Sequence, residues 1–207
     1  MKLTDKGLLV VLSGPSGVGK GSIRKALFEE VNHNYTFSIS MTTRKIRPGE
    51  VDGVDYYFVS KEEFQEKIKN GEFLEYNYFC GNYYGTPISE VYKAIDAGKE
   101  LILEIDVNGC RQVKEKIVDA VSIFIVPPTK KALYDRLKSR GTEPEYKIQE
   151  RIKKADSEFG LAYQYDYIVV NDTIESATEC IRNIIKAEHS RTSRSVHKYY
   201  EMLGEEK

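Results

Sequence analysis

The chain has 207 residues, 41% of them hydrophobic and 30% charged, so it has the size and composition of one globular domain with its own core. Its 31 basic and 32 acidic side chains give a formal net charge of -1, which excludes the overall positive charge typical of nucleic-acid-binding proteins. The three cysteines are far apart and include no CxxC pair, which argues against a zinc site or a disulfide framework.

The first predicted element is a strand at residues 8–12, an apolar run too short for a signal peptide or a membrane span. A helix is predicted after it, because apolar residues recur there with helical spacing. These residues are Ile23, Ala26, Leu27 and Val31. We therefore expect a cytoplasmic protein without a membrane partner, in which the first strand leads into a helix.

Residues 35–87 differ in composition, with alternating apolar residues, the basic loop MTTRKIRPGEVDG and several tyrosine-rich segments. This pattern predicts a small, partly antiparallel lobe inserted into the domain. One helix interrupts the lobe, because Ser60 and Glu63 have the spacing of a capping box. A further helix is predicted to begin with Thr86 as its N-cap and Pro87 at its first helical position.

Three later apolar runs predict strands that are buried on both faces, at residues 101–107, 121–126 and 167–170. Helical spacing follows two of them, at Leu133 and Leu137 behind the N-cap Thr129, and at Ala177, Ile181 and Ile184. Strands that alternate with helices predict an α/β fold, in which helices flank a parallel sheet.

Residues 141–165 are polar and charged, with Ile148, Ile152 and Phe159 as their main apolar residues. This pattern predicts a mobile helical excursion with little core beneath it. The last residues, RTSRSVHKYYEMLGEEK, predict a helix that frays at its end.

The glycine-rich sequence after the first strand predicts a phosphate-binding loop. It comprises Gly14, Pro15, Ser16, Gly17, Val18, Gly19, Lys20, Gly21 and Ser22. Its glycines let backbone N–H groups point at phosphate oxygens, the following helix adds its positive end, and Lys20 adds a full charge. Gly21 stands where such loops usually carry a magnesium-binding Ser or Thr, and the hydroxyl comes one residue later, at Ser22. An ordinary glycine-rich turn is the alternative interpretation.

The whole chain resembles the guanylate kinase family of nucleoside-monophosphate kinases. The segments that carry the resemblance are GPSGVGKGS, SISMTTRKIRPGEVDGVDYYFVS, GEFLEYNYFCGNYYGTP, LEIDVNG, PPTKKALYDRLKSRGTE and IVVND. The resemblance implies a P-loop nucleoside-monophosphate kinase fold for one domain, residues 1–207. It implies a core, a GMP-binding lobe and a lid, with the core at 1–34, 88–137 and 166–207, the lobe at about 35–87 and the lid at about 138–165.

The activity implied by the resemblance is ATP-dependent phosphorylation of GMP, and also of dGMP, within purine nucleotide metabolism. ATP is the expected phosphoryl donor, Mg²⁺ is the expected cofactor, and no nucleic-acid partner is expected. The implied catalytic residues are Lys20, Arg44, Arg140 and Arg151. The sequence does not indicate an oligomeric state.

On the donor side, the resemblance implies that Arg136, Arg140 and Arg151 contact the ATP phosphates when the lid closes, in addition to the glycine-rich loop. Arg136 and Arg140 are four residues apart and therefore share one helix face. A solvated basic helix surface is the alternative interpretation of these arginines.

On the acceptor side, the resemblance implies that Arg44 and Arg47 hold the phosphate of GMP, with help from the hydroxyls of Tyr56 and Tyr84. Arginine suits this role because its planar guanidinium forms paired bonds with phosphate oxygens.

The guanine base presents two adjacent donors, N1–H and the 2-amino group, which one carboxylate can accept together. The resemblance assigns this role to Glu75, supported by Ser40, Thr86 and Asp106. Alternation along the strand would instead place Glu75 on its exposed face. Asp106 follows an apolar strand, where it could meet either the base or magnesium-bound water. Glu104, two residues earlier, could share the magnesium site or be a satisfied polar residue on the inner face of the sheet. Ser22 and Asp106 are the candidate metal ligands.

No general base is needed, because the attacking group is already an anionic phosphate oxygen. Two other functions are consistent with parts of the pattern. Some guanylate-kinase-like domains are scaffold modules that bind phosphorylated peptides, although Lys20, Arg140 and Arg151 are all present here. A kinase for another small phosphorylated acceptor is the second alternative.

Overall fold

A computed structural model describes residues 6–31, 33–139 and 144–204. The strands in these residues are β1 (Leu9–Ser13), β2 (Tyr35–Thr36), β3 (Met41–Thr42), β4 (Tyr57–Phe58), β5 (Phe73–Phe79), β6 (Asn82–Pro87), β7 (Glu100–Glu104), β8 (Val121–Val126) and β9 (Tyr167–Val170). The α-helices are α1 (Lys20–Phe28), α2 (Lys61–Lys69), α3 (Ile88–Asp96), α4 (Val107–Lys116), α5 (Lys130–Ser139), α6 (Glu145–Phe159), α7 (Ile174–His189) and α8 (Thr192–Leu203). None of these helices is long and apolar enough to span a membrane.

The central sheet confirms the predicted parallel α/β architecture. Its strand order is β2-β7-β1-β8-β9, and all of its strand pairs are parallel. Along β1, Val10 and Leu12 pack into one hydrophobic cluster, whereas Leu9 and Val11 pack into another. Helices therefore cover both faces of the sheet, which explains why its inner strands are mostly apolar.

The lobe is built on a second sheet, with the order β4-β3-β6-β5. It is partly antiparallel, as predicted, because β6 runs antiparallel to both of its neighbours while β3 and β4 are parallel. Tyr35 does not belong to this sheet, although the sequence assigned it to the lobe. It pairs with Glu100 at the edge of the central sheet.

Two predicted boundaries are wrong. The strand predicted to reach residue 107 ends at Glu104, because Asp106 caps helix α4 by accepting a hydrogen bond from the Gly109 N–H at 2.8 Å. Helix α3 does not begin at Thr86, which lies in β6. Its N-cap is Pro87, and the Thr86 hydroxyl bonds to Glu75 instead of capping the helix.

The sequence predicted helix α2 more closely than helix α6. The capping box of α2 is confirmed, since the Ser60 hydroxyl accepts a hydrogen bond from the Glu63 N–H at 3.0 Å. Helix α6 has more core beneath it than its polar sequence indicated. Ile148 and Ala155 of α6 are buried in the cluster that also contains Val10 of β1.

The C-terminal helix α8 is joined to the domain by buried charges, at the end of the sheet where Glu100 begins β7. Arg194 of α8 forms ion pairs with Glu188 at 3.0 Å and with Asp119 at 2.8 Å. The side chains of Arg194 and Glu188 are only 8% and 5% exposed. The Tyr167 hydroxyl donates a further hydrogen bond to Glu188.

Candidate active site

The glycine-rich loop connects β1 to α1 with a backbone that requires glycine. Gly14, Gly17 and Gly19 have φ values of 137°, 93° and 95°, in the region that other residues rarely adopt. A Cβ atom on Gly14 would lie 2.3 Å from the Ile125 carbonyl oxygen of β8. The loop therefore lies directly against the end of the sheet, with the N-terminus of α1 behind it.

The Lys20 ammonium group folds back over this loop. Its Nζ donates to the carbonyl oxygens of Gly14 at 2.6 Å and Pro15 at 3.1 Å. The charge predicted to contact phosphate is thus held at the mouth of the loop.

The start of α1 faces the end of β7. A Cβ atom on Gly21 would lie 3.7 Å from both carboxylate oxygens of Glu104, and Arg24 Nε lies 3.3 Å from Glu104 Oε2. Ser22, the candidate metal ligand on this helix, is exposed. Among the described contacts, none joins Ser22 to Glu104 or Asp106. The missing side chain at Gly21 therefore opens a space that Glu104 borders.

The structure brings one of the predicted lid arginines to the loop. Arg151 of α6 donates from Nη1 to the Ser16 hydroxyl at 3.3 Å. Arg140 lies outside the described residues. Arg136 of α5 is tied to backbone carbonyls instead of extending into solvent, since its Nη2 donates to the Asn171 oxygen at 2.8 Å and its Nη1 lies 3.4 Å from the Val18 oxygen.

Asn171, which follows β9, also contacts the loop, and the sequence did not single it out as a site residue. It is 1% exposed, and its Nδ2 donates to the Val18 carbonyl oxygen at 2.7 Å. The available signal was its position in the segment IVVND directly after a buried strand, where parallel sheets form their sites.

The basic loop of the lobe holds Arg44 in a fixed orientation. Its guanidinium forms two bonds to the Glu50 carboxylate, and it lies 5.5 Å from the Tyr56 ring centre and 5.6 Å from that of Phe58. The hydrogen bond from Arg44 lowers the pKa of Glu50, and the Arg47 backbone N–H bond adds to this shift. Glu50 was not predicted as a site residue, although it is the one acid in the stretch RKIRPGE.

The other residues predicted to hold the acceptor phosphate surround this pair. The rings of Tyr56 and Tyr84 meet edge to face, with their centres 6.2 Å apart. The pKa of Arg44 is raised mainly by its hydrogen bond to Glu50, and Tyr84 also contributes. The Arg47 side chain is exposed, and its backbone N–H donates to Glu50 at 2.8 Å. These groups form a basic and aromatic wall.

Glu75 is buried, which contradicts the exposed position that strand alternation indicated. The pairing of β5 with β6 shifts between Phe73 and Glu75, so Leu74 is an extra residue and the two-residue repeat is broken. Glu75 Oε1 accepts the Thr86 hydroxyl at 2.7 Å. Burial raises the pKa of Glu75, while the bond from Thr86 opposes this shift. Glu75 is therefore an inward-facing carboxylate with remaining acceptor capacity.

Gly109 of α4 leaves room for this carboxylate. A Cβ atom there would lie 3.3 Å from Glu75 Oε2, which is closer than most real Cβ contacts. Asp106, at the start of the same helix, also accepts a hydrogen bond from Asn77 Nδ2 at 3.3 Å.

Two adjoining cavities lie between the lobe and the central sheet, with volumes of about 530 Å³ and 320 Å³. Both are lined by Ser40, Tyr56, Glu104 and Ile105. The smaller cavity also contains Glu75, Tyr84 and Asp106, and the larger contains Glu50, Thr86 and Arg24. Because Glu104 also faces Gly21, the cavities reach the start of α1.

The arrangement provides two sites that meet near the end of β7. One is a backbone cradle with a lysine and an arginine, which suits a polyphosphate. The other is the pair of cavities lined by the buried Glu75 carboxylate and by Glu50 and Tyr56, both of which contact Arg44, and it suits a phosphorylated molecule that carries hydrogen-bond donors.

Comparison with known proteins gives one consistent answer. Residues 6–188 match the family model described as guanylate kinase. The chain is 56% identical over 204 residues to the guanylate kinase of Onion yellows phytoplasma (strain OY-M), covering 98% of this chain and 96% of that protein. It is 50% identical over 205 residues to the guanylate kinase of Lactococcus lactis subsp. lactis (strain IL1403), covering 99% and 100%. The crystal structure of guanylate kinase from Anaplasma phagocytophilum matches with a TM-score of 0.71 and 36% identity, covering 94% of this chain and 92% of that one.

Proposed function

This chain belongs to the guanylate kinase family and phosphorylates GMP to GDP with ATP, and we propose that the glycine-rich loop binds ATP while the lobe cavities bind GMP. The observation that carries the proposal is the position of Glu104. Its carboxylate faces Gly21 on the loop side and lines both cavities on the lobe side. The two substrates would therefore meet end to end beside it.

The donor half consists of residues Gly14 to Ser22 with Arg136, Arg140 and Arg151. Backbone N–H groups of the loop and the α1 N-terminus bind the ATP phosphates, and Lys20 and Arg151 contribute full charges. The Arg151 contact with Ser16 at 3.3 Å supports a cation from α6 beside the loop.

The proposed GMP site has two parts, one that binds the phosphate and one that binds the guanine base. Arg44, Arg47, Tyr56 and Tyr84 bind the GMP phosphate. The buried Glu75 carboxylate accepts guanine N1–H and the 2-amino group, and the groups around it are Ser40, Thr86 and Asp106. Adenine offers neither donor at this edge, so AMP would leave a buried carboxylate unpaired, at a cost of about 1 to 3 kcal/mol or more.

Magnesium is the expected cofactor, and the residues present fit it. Mg²⁺ is usually bound through one or two carboxylates together with substrate phosphates. Glu104 borders the space at Gly21, and Asp106 lines the adjoining cavity. Ser22 and Asp106, with Glu104, would hold the ion directly or through water. When bound, it neutralises charge on the phosphates.

Positioning and charge explain the chemistry of this site. An anionic oxygen of GMP attacks the γ-phosphorus of ATP, the bond to the ADP oxygen breaks, and no proton acceptor is required. Lys20, Arg44, Arg140 and Arg151 stabilise the charge that two anionic substrates bring together. Closure of residues 138–165 over the lobe would exclude water and limit ATP hydrolysis.

The substrate range extends to dGMP, because none of the proposed contacts involves the ribose hydroxyl that dGMP lacks. We also infer that the protein works in the cytoplasm, because the apolar run at residues 8–12 is too short for a signal peptide. No nucleic-acid partner is expected, since the formal net charge of -1 gives no overall attraction to phosphate backbones.

The test is a coupled assay of ADP release with GMP, dGMP, AMP, CMP, UMP and TMP as acceptors. GMP and dGMP should support turnover at least about tenfold better than AMP, the ratio expected for an unpaired buried carboxylate. Equal turnover with AMP would refute the role of Glu75. The absence of GMP-dependent ADP release would refute phosphoryl transfer to GMP and would favour the scaffold alternative.

A further inference from the structure

Asn171 fixes the direction of one peptide group in the glycine-rich loop. Its side chain is 1% exposed, and its Nδ2 donates to the Val18 carbonyl oxygen at 2.7 Å. The backbone of Asn171 is itself held, because its N–H donates to the Val126 oxygen of β8 at 2.8 Å. The amide that reaches the loop is thus anchored to the central sheet.

Arg136 reinforces the same contact from a different element. Its Nη2 donates to the backbone carbonyl oxygen of Asn171 at 2.8 Å, and its Nη1 lies 3.4 Å from the backbone carbonyl oxygen of Val18. The Val18 carbonyl therefore receives a neutral amide donor and a charged guanidinium donor. Hydrogen bonds to a carbonyl polarise the whole peptide group, which strengthens its N–H as a donor.

The contact at the Val18 carbonyl also determines the direction of the Gly19 N–H, which belongs to the same peptide group. In a trans peptide the C=O and the following N–H point in opposite directions. With the Val18 oxygen held towards Asn171 and Arg136, the Gly19 N–H must point away from them. Gly19 also has no space for a side chain, since a Cβ atom would lie 2.4 Å from Asn171 Nδ2.

We propose that Asn171 is a positioning residue for ATP, which acts by holding the Val18–Gly19 peptide so that the Gly19 N–H is directed at a donor phosphate. Arg136 supports it through the Val18 and Asn171 oxygens. This inference rests on the proposed function, in which the loop binds ATP, and it gives Arg136 a role in shaping the loop as well as its predicted contact with ATP.

The decisive variant is Asn171→Asp, which keeps the size of the side chain but replaces the N–H donor with an acceptor that repels the Val18 oxygen. We expect the KM for ATP to rise by about tenfold or more, the effect of losing one hydrogen bond to a charged group, here the bond from the Gly19 N–H to a donor phosphate. The KM for GMP should change less than about threefold, because Asn171 contacts the donor half only.

The matched control is Asn34→Asp. Asn34 also donates from its side-chain amide to a backbone carbonyl, that of Gly98, but it is exposed and does not line the site. This variant should leave both KM values at the wild-type level. A purely structural role of Asn171 would lower the melting temperature and the active fraction without changing the KM for ATP relative to that for GMP.

A second measurement applies if Asn171→Asp or Asn171→Ala is folded but inactive. In protein labelled with ¹⁵N-glycine, ATP should shift the Gly19 amide resonance strongly in the wild type and weakly in either variant. An unchanged KM for ATP together with an unchanged Gly19 response would overturn the inference. If the wild type itself failed to transfer phosphate to GMP, the proposed function would fail instead.

If both variants fail to fold, Arg136→Lys tests the contacts that hold the Val18–Gly19 peptide. It keeps the positive charge but loses the planar guanidinium that spans the Val18 and Asn171 oxygens. The inference requires a rise in the KM for ATP and a weakened Gly19 response in this variant. Wild-type behaviour on both counts would overturn it.

Discussion

Arg44 and Glu50 form a two-point ion pair, with Nη1 at 3.0 Å from Oε2 and Nη2 at 2.8 Å from Oε1. Nη1 also donates to the Lys45 carbonyl oxygen at 2.8 Å. A guanidinium has five N–H donors, so these three bonds leave Nε–H and one Nη2–H as a second paired edge, and Tyr84 also interacts with the guanidinium. Glu50 therefore orients the edge of Arg44 that suits a phosphate.

The first prediction concerns Glu50→Ala. Arg44 would lose its orientation, so the KM for GMP should rise by about tenfold, with the KM for ATP nearly unchanged. Steady-state kinetics with each substrate varied in turn would measure this. Glu72→Ala, which breaks the ion pair with Lys67 elsewhere in the lobe, is the control. A lower KM for GMP in Glu50→Ala would mean that Glu50 competes with the phosphate.

Glu75→Gln should weaken the use of GMP by at least about tenfold, because the amide replaces one acceptor oxygen with an NH2 donor, which faces a guanine donor and leaves it unpaired. ATP binding, measured by calorimetry, should not change. Thr86→Val, which removes the hydroxyl that donates to Glu75, should have a smaller effect in the same direction. Unchanged turnover of Glu75→Gln with GMP would show that the base is recognised elsewhere.

The pH dependence should follow the raised pKa of Glu75. Burial favours its protonated form, so Glu75 begins to gain a proton at a higher pH than an exposed glutamate does. Protonated Glu75 can no longer accept both guanine donors, and kcat/KM for GMP should fall as the pH decreases. The GMP phosphate also titrates, at about pH 6. Comparison with Glu75→Gln isolates the enzyme group, since both enzymes share the substrate titration.

Gly109→Ala should separate stability from recognition. The added methyl group would lie 3.3 Å from Glu75 Oε2 and 3.2 Å from the Ile105 Cβ, so the carboxylate must move. We expect the KM for GMP to rise by about three- to tenfold. The free energy of unfolding should change by less than about 1 kcal/mol, because the higher helix propensity of alanine, worth roughly that amount, offsets the tight contacts of the added methyl group. Unaltered GMP kinetics would show that the Glu75 carboxylate has room to shift.

Lys20→Ala should reduce kcat by a factor on the order of 100, the effect of removing one charged group that stabilises the transition state. Circular dichroism should remain that of the wild type, because the Gly14 and Pro15 carbonyl oxygens to which Lys20 donates belong to the glycine-rich loop. Lys25→Ala, at an exposed position of the same helix, is the control. Near-normal turnover of Lys20→Ala would remove Lys20 from the catalytic set.

The central sheet was predictable because strands that are buried on both faces appear in the sequence as short runs of apolar residues. Strands β1 and β8 are apolar except for one serine each, Ser13 and Ser122, and helical spacing follows both strands. The two-residue strand β2 is too short to show such a run, and only its pairing with β7 assigns it to the central sheet. The start of α3 was ambiguous, since proline after threonine suits both a helix N-terminus and the end of a strand.

Parts of the site depend on contacts that local patterns do not encode. The burial of Glu75 follows from the extra residue at Leu74, and alternation alone gives the opposite result. Asn171 meets Val18 across 153 positions of the chain, so neither segment indicates the contact. The positions of Glu75 and Thr86 were expected only from the family resemblance.

The buried ion pair between Arg194 and Glu188 has a practical consequence for work with this protein. A chain shortened before residue 194 would take the Arg194 guanidinium away from the Glu188 carboxylate, which is 5% exposed, and would leave it the longer contact with Arg191 at 3.6 Å. Removing one partner of a buried pair costs about 3 to 5 kcal/mol, a large share of the stability of an ordinary domain. The last helix is thus a structural requirement at the end of the sheet far from the chemistry, and expression designs must retain it.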